Sequence, residues 1–223
     1  MITVHHLENS RSQRVLWLLE ELGLPYEVVR YERDSKTKLA PPELRAIHPL
    51  GKSPTIEDEG QTVAETGAII EHLLAKYGAG RLIPVVDTPD RTRYTYWLHY
   101  AEGSAMTPLL LKLLFGQMMP AGAPTLLKPM VKAVAKPVLE RYIDPQLKQH
   151  ADFWEKELSK TAWFAGPAFT AADIQMSFPL EAASSRGDTG VERPYTQAFL
   201  KAIHARPAYR QALERGGPYA YAR

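Results

Sequence analysis

The chain contains no cysteine. That absence excludes disulfides, thiolate metal sites and any cysteine nucleophile of the protein's own. Long apolar runs are missing as well. Nowhere do about 18 or more apolar residues follow one another, so no membrane span is expected. Charge of one sign is not concentrated anywhere. The net charge is +2 with both signs spread along the chain, and no basic block suggests a nucleic-acid partner. Among the seven histidines there is no H-E-x-x-H or comparable spacing. His5 and His6 are adjacent on a strand pattern, so they face opposite ways and cannot share a metal. No metal is expected. No signal-peptide layout precedes the first strand pattern, so a cytoplasmic protein is the default. Internal repeats and low-complexity tracts are also lacking.

What is present is a chain of 223 residues, 45% apolar, enough for one large or two small domains with a sizeable core. Ile2–Leu7 is short and β-branched and reads as a strand. Glu8-Asn9-Ser10 is a turn of helix-capping residues. Val15, Leu18, Leu19 and Leu22 then recur at helical spacing, and Gly23 ends that helix. Tyr26–Tyr31 is a second strand, so the chain begins strand–helix–strand, which favours a parallel pair with a right-handed crossover. A short helix is predicted at about Pro41–Ile47.

The stretch from Ile47 to Thr66 carries the densest information. Two strand-like segments, Pro54–Glu57 and Gln61–Ala64, flank the turn Asp58-Glu59-Gly60. Pro54 has no N–H, so Ser53-Pro54 belongs at a strand start or bend. It is also the natural place for a cis bond, which would turn the Ser53 backbone N–H and C=O outward. Glu65-Thr66 sits where a helix begins, with unpaired N–H groups and positive potential. Lys52 adds a cation. Together these describe a pocket for a short peptide bearing carboxylates. Ile70, Leu73, Leu74 and Tyr77 mark the next helix, ended by Gly78.

After a linker rich in glycine and proline, everything reads helical. A long helix is predicted from Pro89 to about Phe115, then a break at Gly116–Pro124. The region Thr125–Leu158 contains Pro129, Pro137 and Pro145 and is predicted to be kinked or split. Thr170-Ala-Ala-Asp173 has capping-box spacing ahead of a helix running to about Arg186. Two short helices, around Pro194–Ala205 and Pro207–Arg215, complete the pattern.

Three motifs, in this order and at these spacings, resemble those of a cytosolic glutathione S-transferase. They are Ser10-Arg-Ser-Gln-Arg14 at the first helix, His48-Pro-Leu-Gly-Lys-Ser-Pro54 followed by Glu65-Thr66, and Phe169-Thr-Ala-Ala-Asp-Ile174. The likeness covers nearly the whole chain and is closest to the bacterial and fungal Gtt-like branch. It implies an α/β plus all-α architecture. A thioredoxin-like βαβ–α–ββα domain at 1–79 would bind glutathione, and an all-helical domain at 89–223 would supply the electrophile pocket.

The resemblance also implies roles. Ser10 holds the position of the catalytic serine, whose hydroxyl and helix start would favour the glutathione thiolate. Ser10 also fits a plain N-cap, and Asn9 and Ser12 are its rivals. No tyrosine lies between Met1 and Pro25, so a tyrosine-type mechanism lacks its residue. Lys52 would meet the glycyl carboxylate, and the Ser53 backbone beside Pro54 would pair with the peptide. Glu65 would hold the γ-glutamyl amino group and Thr66 its carboxylate. Tyr100, Met106, Leu110 and Phe115, with Met118, are candidates for the electrophile pocket, or else core or dimer interface. Apart from the resemblance, Arg11 could add positive potential near sulfur, and Arg14 could instead face a partner subunit. Thr170 and Asp173 read as structural.

The function so implied is conjugation of glutathione, a cosubstrate rather than a cofactor, to a hydrophobic electrophile by a cytoplasmic homodimer, with detoxification among its roles. Alternatives are a glutathione-dependent disulfide reductase or peroxidase on the same scaffold, and a non-catalytic glutathione-binding regulatory module.

Overall fold

A computed structural model describes residues 1–35, 37, 39–185 and 193–222. The first part contains β1 (Ile2–Leu7), α1 (Ser12–Leu22), β2 (Tyr26–Tyr31), α2 (Leu44–Ile47), β3 (Thr55–Asp58), β4 (Gln61–Ala64) and α3 (Thr66–Tyr77). The strands form one sheet in the order β2-β1-β3-β4. β1 pairs parallel with β2, and β3 pairs antiparallel with both β1 and β4. This is the expected thioredoxin-like βαβ–α–ββα order. Gly23 closes α1 in the left-handed conformation (φ 66°), which lets its N–H and that of Leu24 reach back to Glu20 and Leu19 carbonyls. α1 is buried on nearly every side, with Val15, Leu16, Trp17, Leu18 and Leu19 all inaccessible. It is the element on which both halves of the molecule pack.

The remainder is helical: α4 (Pro89–Tyr100), α5 (Met106–Leu113), α6 (Met119–Gly122), α7 (Lys128–Val138), α8 (Asp144–Leu158), α9 (Ala171–Ser185), α10 (Pro194–His204) and α11 (Pro207–Gly216). The break expected at Gly116–Pro124 is confined to residues 123–124. Helix continues from Pro89 to Gly122 through π-helical turns at Ala101–Ala105 and Leu114–Met118. Thr125–Leu158, expected to be kinked or split, is not split. A third π turn, Leu139–Ile143, joins α7 to α8 without interruption. The π turns have a sequence cause. Pro108, Pro120 and Pro145 each follow one by two or three residues. A proline ring clashes with the carbonyl four residues back and offers it no N–H. Widening the turn before it accommodates both.

The start of α9 is fixed by Asp173. Its carboxylate accepts from the Thr170 N–H (2.8 Å), the Thr170 hydroxyl (3.1 Å) and the Phe164 N–H (2.8 Å). Burial pushes this carboxyl up to about 7, against those donors. The Ala171 N–H is taken by the Leu82 carbonyl, which ties the linker to the same corner. Residues 186, in the last turn predicted for this helix, and 187–192 lie outside the described residues. Among the described residues no helix is long and apolar enough to cross a membrane.

Candidate active site

The carboxyl end of β1 and the starts of α1, β3 and α3 converge on one edge of the sheet. β1 leaves the sheet at Leu7 and turns through Asn9, which has φ 48°. Arg11, not Ser10, occupies the N-cap of α1 and makes no side-chain cap bond. Ser10 therefore lies just outside the helix. Its Oγ accepts from the Ser12 N–H at 3.3 Å and sits 2.7 Å from Ser12 Oγ. Ser12 Oγ lies 2.9 Å from His6 Nδ1. His6 is buried, and burial together with the charge of Arg30 pushes it down to about 4 despite a hydrogen bond to the Gly216 carbonyl. A neutral imidazole has a single N–H. Given to Gly216, it leaves Nδ1 as acceptor for the Ser12 hydroxyl.

This geometry sorts the three candidates. Ser12 is fully buried and gives its proton to His6, so Ser10 donates across their 2.7 Å contact, while keeping 6% of its surface where that rotatable proton can turn to a ligand. The Asn9 amide oxygen accepts from the Ala220 N–H at 2.7 Å. His5, on the other face of β1, pairs instead with Tyr31 and Glu57.

Across the edge, Ser53-Pro54 is a cis peptide. β3 begins only at Thr55, so the ladder with β1 leaves Ser53 outside it. The Ser53 side chain closes the gap. Its hydroxyl donates to the His5 carbonyl (2.8 Å) and accepts from the Leu7 N–H (3.1 Å). Lys52 is exposed and, among the described residues, makes no ion pair. Glu65 bridges β4 and α3 at φ 72°, ψ 124°, a conformation costly for a residue with a Cβ. It delivers Thr66 as the first residue of α3. The first intrahelical bond there is from the Ile69 N–H to the Glu65 carbonyl, so the N–H groups of Thr66, Gly67 and Ala68 precede the ladder. No acidic side chain stands in this first turn.

A cluster of charges closes the site from the helical side. Arg14 is 1% exposed and lies within the molecule. It does not face a partner subunit, because it is buried and both terminal nitrogens are engaged within the molecule, while Nε has no partner. Nη1 donates to the Gln175 carbonyl (2.6 Å), and Nη2 donates to Glu102 Oε1 (2.5 Å) and Thr66 Oγ1 (3.3 Å). Arg11 Nε donates to both oxygens of the same Glu102, at 2.9 and 2.8 Å. Both guanidiniums lie over the Phe178 ring, at 5.2 and 5.4 Å. Burial pushes the Glu102 carboxyl up, but the two arginines outweigh it and hold the group below the usual range.

The expected electrophile-pocket residues are divided between core and surface. Tyr100 is buried against α8, where its hydroxyl meets His150 and accepts from Trp154 Nε1. Met106 is buried, Phe115 half-buried, and Leu110 and Met118 exposed. The aromatic side chains next to Arg11 and Arg14 are others. The rings of Phe178 and Tyr221 meet edge-on at 5.4 Å, and Tyr219 hydrogen-bonds to the buried Glu181.

The family model for the glutathione S-transferase N-terminal domain matches residues 1–75. Glutathione S-transferase 3 of Schizosaccharomyces pombe is 36% identical over 218 residues, covering 96% of this chain and 88% of its own length. Glutathione S-transferase 1 of Saccharomyces cerevisiae is 34% identical, covering 96% and 95%. The chain belongs to the glutathione S-transferase family. A glutathione S-transferase from Actinobacillus pleuropneumoniae, 33% identical, has the same fold at a TM-score of 0.81, over 99% of this chain and 94% of that one. A sphingomonad glutathione S-transferase solved with glutathione shares the fold at a TM-score of 0.72 and 24% identity, covering 96% and 98%.

In this glutathione S-transferase, sequence reasoning missed how Arg14 and Glu102 are used, and missed Phe178 with the tyrosines at 219 and 221. A signal existed for Arg14. It lies one helical turn from Arg11 and directly before the apolar run Val15–Leu19, so a buried partner was needed. The tail tyrosines had no local pattern to mark them.

Proposed function

We propose that this glutathione S-transferase conjugates the glutathione thiolate to a hydrophobic electrophile, with Ser10 as the residue facing sulfur. The observation that carries the reading is the convergence of the Ser10 turn, the cis Ser53-Pro54 edge and the Thr66 helix start on one side of the sheet. The Ser53 backbone would pair with the tripeptide's own backbone. Thr66 and the free N–H groups of α3 would take the γ-glutamyl carboxylate, Glu65 the amino group and Lys52 the glycyl carboxylate. On this reading the chain divides into 1–79 for glutathione and 89–223 for the electrophile. The solved complex of the sphingomonad relative with glutathione supports the same ligand here.

Chemically, the task is to hold a thiolate near neutral pH. Two effects favour it: a hydrogen bond from the Ser10 hydroxyl, and the positive end of α1, whose first turn carries no acid. The sulfur then attacks an electrophilic carbon. A C–S bond forms and the leaving group departs with its bonding pair, or an activated double bond takes up the electron pair and a proton. Positioning supplies the rest. Tyr100, Met106, Leu110 and Phe115 remain the proposed walls for the electrophile, joined by Tyr221 at the edge of the buried Phe178 ring. The enzyme acts as a homodimer in the cytoplasm, in detoxification.

Calorimetric titration with glutathione tests the ligand, and the absence of binding would refute the reading. For Ser10, the test is Ser10→Ala. The bound thiol should titrate at higher pH and turnover of an aryl halide should fall by about 10²-fold or more, the usual worth of one stabilising donor. Comparing turnover of an aryl halide, a hydroperoxide and a small mixed disulfide separates conjugation from reductase or peroxidase activity.

A further inference from the structure

Five prolines sit inside or at the joints of the helices, and each leaves a carbonyl four residues earlier without its helical donor. Pro108, Pro120, Pro137 and Pro145 leave those of Ser104, Gly116, Ala133 and Arg141, all on exposed residues where water can serve. Pro179 differs. The residue four before it is Gln175, 1% exposed in the middle of α9. A buried carbonyl needs a partner, and α9 makes no π turn to supply one. The partner comes from the other end of the site: Arg14 Nη1, at 2.6 Å. The same guanidinium reaches Thr66 Oγ1 through Nη2.

We propose that Pro179 is a positioning residue for glutathione. By withholding the helical N–H from the Gln175 carbonyl, it reserves that oxygen for Arg14, and the Arg14 fork so oriented fixes the Thr66 hydroxyl at the γ-glutamyl end of the site. A bond from an ionised donor is about twice as strong as a neutral one, so the reserved carbonyl is an effective anchor. The inference rests on the reading that Thr66 holds the γ-glutamyl carboxylate.

The test is to restore the N–H with Pro179→Ala, and with Pro179→Val, which keeps more of the volume. Removing a helix-interior proline relieves the helix, so the melting temperature should hold or rise. Glutathione affinity should move the other way. The Kd and the KM for glutathione should increase about 3- to 10-fold, with kcat at saturating glutathione little changed, as expected for a small loss of binding free energy. Combining either change with Arg14→Lys, which lacks the fork, should abolish the effect. Unchanged glutathione affinity in a folded variant overturns the proposal, and so does a loss that persists undiminished in Arg14→Lys. The wild type binds glutathione in both of these outcomes. If it does not bind at all, the reading of Thr66 has failed instead.

Discussion

On one side of the Ser10 turn, Arg11, Arg14 and Glu102 form a cluster of charges. On the other, Ser12, His6 and the Gly216 carbonyl form a chain of neutral hydrogen bonds. Both fasten the first turn of α1, and both do so with partners from the helical half. The charged cluster ties several elements through the buried Arg14 guanidinium, so removing Arg14 leaves the buried Gln175 carbonyl without its donor and half of the Glu102 pairing unmet. The neutral chain can lose a link at modest cost. It contains, however, a group that ionises in acid. The first cluster is sensitive to mutation and the second to pH.

The strongest way to break that contrast is Arg14→Met. Breaking a buried ion pair from one side costs on the order of 3–5 kcal/mol, and urea unfolding should register it together with weaker glutathione binding. A loss below about 1 kcal/mol would place the cluster with ordinary surface pairs. Next is pH. His6 titrates at about 4 folded against 6.5 unfolded. Between those values the unfolded chain binds the extra proton. The contribution is therefore full above about 6.5 and lost as pH falls through about 4, on the order of 3 kcal/mol in all. Asp173, raised to about 7 from 3.8, slopes the opposite way in an overlapping window. The histidine is thus read as the difference between wild type and His6→Gln in urea midpoints from pH 4 to 7.5. Equal slopes for the two proteins would remove His6 from the account. Ser12→Ala should cost about 1–3 kcal/mol, since it leaves His6 Nδ1 without a donor. Asn9→Ala is the smallest. It loses the bond to Ala220 and puts alanine at a positive φ, about 1 kcal/mol in sum. Faster amide exchange at Ala220 should accompany it, and unchanged exchange would mean that the tail is held elsewhere.

The sheet half of the fold was legible because its signals are local. β1, β2 and β4 fall on the bounds their composition suggests, and Gly23 and Gly78 end helices where expected. The peptide-holding edge was legible for the same reason, as a proline and a helix start announce themselves. The helical half was less so. Prolines at 120, 137 and 145 read as breaks or kinks, but packing carried the helices through them, widening the turns before Pro120 and Pro145, which no local propensity encodes. Tyr100 could not be assigned a face, because a helix with aromatic residues at 94, 96, 97 and 100 offers more than one apolar side. The partnership of Arg14 with Gln175 spans 161 residues, and Ser53's two bonds to β1 replace a ladder that a cis bond interrupts. Both depend on tertiary geometry alone.

The bond between Asn9 and Ala220 joins residues 211 positions apart, and the Gly216 carbonyl serves His6 over a similar span. On the ribosome, where chains grow at about 5–20 residues per second, residues 1–15 precede residues 216–220 by roughly 10–40 s. The turn that carries Ser10 is thus made well before the residues that fasten it. Throughout that interval a nascent chain would carry a formed sheet edge with an unbraced Ser10 turn, so activity should switch on with the arrival of the tail rather than accumulate as the domains appear.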